Sequence, residues 1–502
     1  MPGTNQGAAG ARHEGVYSLL PGEGRGPALP PAPLGPGLRR EAAVSPLWTS
    51  EEIAAAVGGA MHGGFEASGV AFDSREVEPG HLFIAMKGEA TDGHLFLDKA
   101  FAAGAAGAIV SEKVGHPHVH VADTNAALDA LGRAARNRTA ARICGVTGSA
   151  GKTGTKEALY AALDRVAPGE AHRSVKSYNN HVGVPLSLAR MPAETRFGVL
   201  EMGMNHQGEL AALTRLVRPH VAIVTAIASA HRAFFESEEA IADAKGEIFQ
   251  GLEEGGVALI PYDSPYRNRL AAAARPYAGK VLSFGLGEGA DIRARDIVPS
   301  PNGGSLVTAI LPDAELTFTI SQPGDHWVSN ALAVLGAVEA LGGDLAQAGL
   351  ALADLPGIKG RGERHRIAVD GGDALLIDES YNANPASMAA TLRTFGNVGV
   401  SGRRIAVLGA MRELGESSDS FHAGLAGPVE AAGVELAILV GEEMESLAKA
   451  LGAKVKMAHV PDAATAIELA RAEARPGDAI LVKGSNSIGL AALVEALAGG
   501  KS

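Results

Sequence analysis

The sequence predicts a three-domain α/β protein built around a mononucleotide-binding sheet. Three observations carry this expectation: a length of 502 residues, a glycine-rich loop between a strand-like run and a helical stretch, and further apolar runs alternating with helical segments. Domains hold roughly 100 to 200 residues each, so about three are expected. They are assigned to 46–138, a small first unit, 139–355, a phosphate-loop α/β domain, and 356–502, a Rossmann-like α/β domain.

In chain order, Thr49 is placed to cap a short helix running through Val57. Asn125 to Arg136 is rich in Ala and Leu at helical spacing and would lead into the second domain. Ile143 to Val146 reads as a strand and Lys156 to Leu163 as a helix, with the glycine-rich loop between them. Phe197 to Leu200 and Val221 to Ile227 read as buried parallel strands. After Pro356 the pattern restarts, with strands expected at Ala374 to Ile377, Ile405 to Leu408, Leu436 to Val440 and Ala479 to Val482.

Composition excludes several functions. Apolar residues make up 46% of the chain, yet no apolar run approaches the roughly 18 residues of a membrane span, so no membrane insertion is expected. The net charge of -12 opposes a nucleic-acid role, which needs a basic face to displace counterions. The lone Cys144 cannot pair within the chain, and nothing requires an oxidising compartment, so a cytoplasmic location is expected. Residues 1–45 are rich in Pro, Gly and Ala and are expected to form an unstructured tail.

The loop reads Gly-Val-Thr-Gly-Ser-Ala-Gly-Lys-Thr from Gly145 to Thr153. Backbone amides of Gly148, Ser149, Ala150, Gly151 and Gly154 would surround phosphate oxygens at a helix N-terminus. Lys152 would reach the β and γ phosphates, and Thr153 would ligate magnesium. The predicted ligand is therefore ATP with Mg2+. Val146 stands where the strict pattern has glycine.

Glu201 closes an apolar run, where a carboxylate is costly unless paired or bound to metal. Beside a phosphate loop, metal is the favoured reading. His231 falls beyond the next run, where a lone histidine is more often structural. Lys245 reads from residues alone as a solvated helix lysine. Asp378, after another apolar run, is placed to hold ribose. Arg361 and Arg364 fit either a solvated basic patch or contact with phosphate or an acidic substrate.

Together the motifs resemble those of the Mur ligase family from Pro46 onward. They are Thr-Gly-Ser-Ala-Gly-Lys-Thr at 147–153, Tyr-Asn-Asn-His-Val-Gly-Val-Pro at 178–185, Glu-Met-Gly at 201–203, Ala-His at 230–231 and Ala-Lys-Gly-Glu-Ile-Phe at 244–249. Asp-Glu-Ser-Tyr-Asn-Ala-Asn-Pro at 378–385 and Met-Arg-Glu-Leu-Gly at 411–415 look like the branch that adds D-alanyl-D-alanine. Asp-Ser-Arg at 73–75 resembles the family's UDP-sugar-binding domain, which implies a substrate contact for Ser74.

The resemblance implies that Asn179 and Asn180 face substrate and metal, that Asn330 contacts adenine, and that Arg361 approaches the nucleotide. It also makes Lys245 a carbamylated lysine and His231 a metal-associated, catalytic residue. The implied partners are UDP-N-acetylmuramoyl-tripeptide and D-alanyl-D-alanine, joined by a monomeric enzyme through an acyl phosphate. Two departures stand out: Ala-Ile-Ala-Ser-Ala-His-Arg-Ala-Phe at 226–234 replaces a Gly-Pro-Ala-His sequence, and Ala410 stands where an Asp commonly precedes the methionine.

Overall fold

The computed structural model describes residues 46–88, 91–228, 235–300, 304–499. The Pro-rich tail and His231 lie outside the described residues. The fold begins as the sequence suggests: Thr49 caps the helix Ser50–Val57, and its hydroxyl and Glu52 form a reciprocal capping box.

Among the described residues, the larger sheets have five, nine and six strands. In the first, Gly69–Ala71, His81–Ile84, Gly107–Val110 and His118–His120 run parallel, and Ala60–His62 adds an antiparallel edge. The helix Thr124–Arg138 then leads to the strand Arg142–Thr147 of the nine-stranded sheet. That strand lies between Phe197–Glu201 and Val221–Val224, both parallel to it. The chain thus leaves it on one side and returns on the other, and a crevice opens at the carboxyl ends where strand order reverses.

Beyond Val221–Val224, the sheet continues in parallel through Val257–Pro261, Lys280–Gly285 and Ile292–Pro299. It ends in the antiparallel strands Ser305–Ile310 and Glu315–Ile320, which the sequence reading did not anticipate. The third sheet pairs Gly372–Glu379, Ala479–Lys483, Arg404–Gly409, Leu436–Val440 and Lys456–Val460 in parallel, with Glu363–Val369 antiparallel at one edge. The run Val221 to Ile227 ends as a strand at Val224, and its last two residues line the crevice. The helix predicted from Lys156 starts four residues earlier, at Lys152, because Gly151 at φ +83° supplies its N-cap.

The first and second sheets share one apolar core: Trp48, Ile53, Leu82 and Ile109 belong to the same buried cluster as Ile143, Leu200, Ile248 and Phe249. Polar contacts reinforce the junction. The Trp48 indole donates to the carbonyl of Ala189 at 2.8 Å, under the Arg138 guanidinium, and Arg190 donates to the carbonyl of Val70 at 2.6 Å. The six-stranded sheet has its own clusters on its two faces, one with Met388 and Leu439, the other with Leu376 and Val407. No helix among the described residues is long and apolar enough to cross a membrane.

Arg136 illustrates how the connecting helix is fixed. Its buried guanidinium donates to the carbonyls of Val217 at 2.7 Å and Arg218 at 2.9 Å, which end the helix Glu209–Val217. Arg136→Met would leave these acceptors unsatisfied at a cost of about 2 kcal/mol. The expected outcome is a thermal unfolding midpoint several degrees lower, measured by circular dichroism.

Candidate nucleotide site

The phosphate loop is shaped by close backbone contacts. A Cβ on Gly148 would lie 1.9 Å from Thr225 Oγ1, so only glycine fits. Thr225 donates to the carbonyl of Ala150 at 2.5 Å, and Ser149 N donates to the carbonyl of Ala226 at 2.7 Å. Ser149 Oγ also bonds the backbone of Ala228. Backbone groups of Ala226 and Ala228 make these contacts, which explains why alanines are acceptable in this departure from the family motif. Val146 is equally benign, because it lies inside the strand and its carbonyl accepts from Met202 N.

Glu201 stands opposite Val146 at the carboxyl end of its strand and is 1% exposed. Its oxygens are partnered: Thr153 Oγ1 donates at 2.9 Å and Asn179 Nδ2 at 2.8 Å. A buried carboxylate and a hydroxyl at this separation offer the hard oxygen donors that suit Mg2+, so the residues fit the implied ion.

Two lysines line the same cleft. Lys152 donates to the carbonyl of Gly148 at 2.8 Å, occupying the loop's own acceptor. Burial lowers its pKa and Arg361 adds to the effect, while Glu201 opposes them. Lys245 ends the helix Glu238–Gly246, is 1% exposed and has no hydrogen-bond or ion-pair partner among the described residues. Burial, then the charge of Lys152, pushes its amine well below the usual lysine range. It is therefore not the solvated lysine that its residue type alone suggests.

These groups open onto a cleft of about 480 Å³ between the nine-stranded and six-stranded sheets. From the central sheet, Ser149, Ala150, Gly151, Lys152, Thr153, Gly154, Asn179, Glu201, Lys245 and Asn330 line it, as the sequence reading expects of a shared site. Arg361 reaches it from the linker, stacked 4.5 Å over the Tyr381 ring.

Other expected site residues lie elsewhere. Ser74 is buried in the first unit, outside the cleft lining. Asn180 Oδ1 accepts from the amides of Val182 and Gly183, so it stabilises a helix start, whereas the adjacent Asn179 faces Glu201. Asp378 does not line the cleft: its carboxylate accepts from Gly360 N at 2.8 Å and Ser380 N at 3.0 Å. Strand alternation turns Asp378 inward and presents Glu379 to the cleft.

Sequence reasoning missed Thr225, Trp327, Glu379 and Lys483. Thr225 lay hidden inside the run Val221 to Ile227, which the structure ends one residue before it. Trp327 packs on the phosphate-loop helix, where a Cβ on Gly154 would come within 3.1 Å of its ring. Lys483, 3% exposed in its side chain, bonds Glu379 and the carbonyl of Asn382.

The fold and cleft define a three-domain α/β protein with a phosphate-loop nucleotide site. Three family models match the chain: the Mur ligase family catalytic domain over residues 66–167, the Mur ligase middle domain over 146–338, and the Mur ligase glutamate ligase domain over 360–486. A UDP-N-acetylmuramoyl-tripeptide--D-alanyl-D-alanine ligase of Escherichia coli is 35% identical, covering 85% of this chain and 93% of its own length. One of the same name from Bacillus subtilis is 33% identical over 86% of this chain and 93% of its length.

Among solved structures, MurF from Acinetobacter baumannii superposes with a TM-score of 0.78 at 31% identity, covering 90% of this chain and 99% of that one. MurF from Thermotoga maritima in complex with ADP gives a TM-score of 0.70 at 27% identity, covering 86% and 97%. The chain belongs to the Mur ligase family.

Gly148→Ala supplies a test of the loop geometry. The forced rearrangement should cost about 1–3 kcal/mol, or roughly fivefold to 150-fold in ADP affinity. Titration calorimetry would measure it, and unchanged affinity would show that the loop does not bind the nucleotide phosphates.

Proposed function

We propose that this chain joins D-alanyl-D-alanine to UDP-N-acetylmuramoyl-tripeptide, converting ATP to ADP and phosphate. The observation that carries this reading is the single cleft in which Lys152, Thr153, Glu201, Asn179 and Lys245 meet residues of the third domain. The names and coverage of the relatives support the substrate assignment. A terminal carboxylate oxygen of the tripeptide attacks the γ phosphorus, and the bond to the ADP oxygen breaks. The dipeptide amine then attacks the acyl carbon, loses a proton, and displaces phosphate as the amide forms.

The protein's work is positioning and charge neutralisation. Lys152 exchanges the Gly148 carbonyl for phosphate oxygens, and loop amides hold the remaining ones. Thr153 and Glu201 would hold Mg2+, which when bound neutralises charge on the β and γ phosphates. His231, outside the described residues, is assigned beside them from the family motif. Asn330 and Arg361 would meet the nucleoside, Ser74 the UDP moiety, and Asp378 would act by fixing the linker at Gly360. The cleft is lined from two domains of one chain, which supports a monomer, and its substrates favour a cytoplasmic location. The three larger sheets support domains bounded at 46–138, 139–355 and 356–502.

Lys245 is assigned as a carbamate. Its buried amine, unpaired among the described residues, favours the neutral form, whose nitrogen can attack carbon dioxide, forming an N–C bond and releasing one proton. The product is an anion that offsets Lys152. Labelled bicarbonate should give a carbamate carbon signal in wild-type protein that is absent from Lys245→Ala. An identical signal in both would remove the assignment.

Phosphate release should require all three substrates, and Lys152→Ala should lower turnover by at least about a hundredfold. Release that ignores D-alanyl-D-alanine, measured with each component omitted in turn, would refute the ligase reading.

A further inference from the structure

A second lysine of the phosphate-loop helix, Lys156, lies one turn beyond Lys152 and outside the cleft lining. Its side chain is 0% exposed. Burying an ammonium is costly unless its donors are met, and here they are. Nζ donates to the carbonyls of Ser174 at 3.0 Å and Lys176 at 2.5 Å, and pairs with Glu157 at 3.0 Å. It also lies 3.8 Å from Glu201 Oε2, the oxygen that accepts from Thr153.

The segment it grips leads directly to the site. Ser174 Oγ accepts from Glu201 N at 3.1 Å, so one residue touches both the lysine and the acid. Lys176 adopts φ +53°, a left-handed conformation uncommon for a residue other than glycine. Its carbonyl is bound by Lys156 while its side chain pairs with Glu76 of the first unit. Glu76 also accepts from Tyr178 OH at 2.6 Å, and the next residue is Asn179, which donates to Glu201. Strain of this kind persists where the surroundings over-determine the backbone.

We propose that Lys156 is a positioning residue: its buried ammonium sets the 174–179 segment and Glu201 against the phosphate-loop helix, fixing the spacing of Thr153, Glu201 and Asn179. It touches neither substrate nor nucleotide. This inference rests on the reading that Thr153 and Glu201 hold the magnesium of a bound nucleotide. Its consequence is selective, because phosphate-loop amides and Lys152 can bind ADP without the ion, whereas the metal-bearing complex needs the aligned oxygens.

The test is ADP titration of full-length protein, with magnesium and with chelator, for wild type, Lys156→Met, Lys156→Gln and Lys156→Arg, with thermal unfolding recorded for each. In Lys156→Met and Lys156→Gln, affinity in chelator should stay within about twofold of wild type. The magnesium-dependent gain should fall by about tenfold or more, as when a partner of a metal ligand is lost. Lys156→Arg should recover part of it.

Equal losses with and without magnesium, an unaltered magnesium gain, or failure of all three variants to fold would overturn the proposal. A wild-type protein whose ADP affinity ignores magnesium would instead refute the metal site itself, separating that failure from this one.

Discussion

A carboxylate buried at the end of a strand constrains the rest of the site. Glu201 is held by parallel register opposite Val146, within reach of the first turn of the phosphate-loop helix. Burying that charge would be prohibitive without partners, and Thr153, Asn179 and the nearby ammonium of Lys156 supply them. The partners come from different stretches of chain, so satisfying one acid organises the helix and the loop after Ala171–Arg173 around a common point.

The electrostatic balance follows. Lys152 and Arg361 line the cleft as cations, whereas Glu201 is committed to its neighbours and Glu379 is paired with Lys483. The cleft therefore concentrates positive charge within a chain whose net charge is -12. Such local contrast favours a polyphosphate and focuses it on the loop.

How much of this was legible in the sequence depended on the range of each interaction. The phosphate loop, its strand and helix, and Glu201 at a strand end are local patterns, and the structure contains them. Lys245 could be read from residue type only as an exposed lysine, because its burial depends on packing against distant elements. Asp378 and Glu379 show the limit sharply: adjacent carboxylates on one strand face opposite sides, and a one-residue error in facing exchanges a cleft group for a linker anchor. Asn179 and Asn180 separate for a related reason, since the turn directs one toward Glu201 and the other toward a helix start. The antiparallel strands after Ile292–Pro299 were missed because polar residues interrupt their apolar ones and leave no continuous apolar run.

The common apolar core beneath the first two sheets bears on how such chains can be recombined. Exchanging the first unit with that of a relative would also exchange half of an interior, leaving side chains such as Trp48 and Leu200 to meet partners they were never matched to. The six-stranded unit, carrying its own interior on both faces, has a natural seam at the linker. Inheritance by segment is therefore asymmetric in this architecture: the carboxyl-terminal unit is the exchangeable part, and the remainder is transmitted as one block.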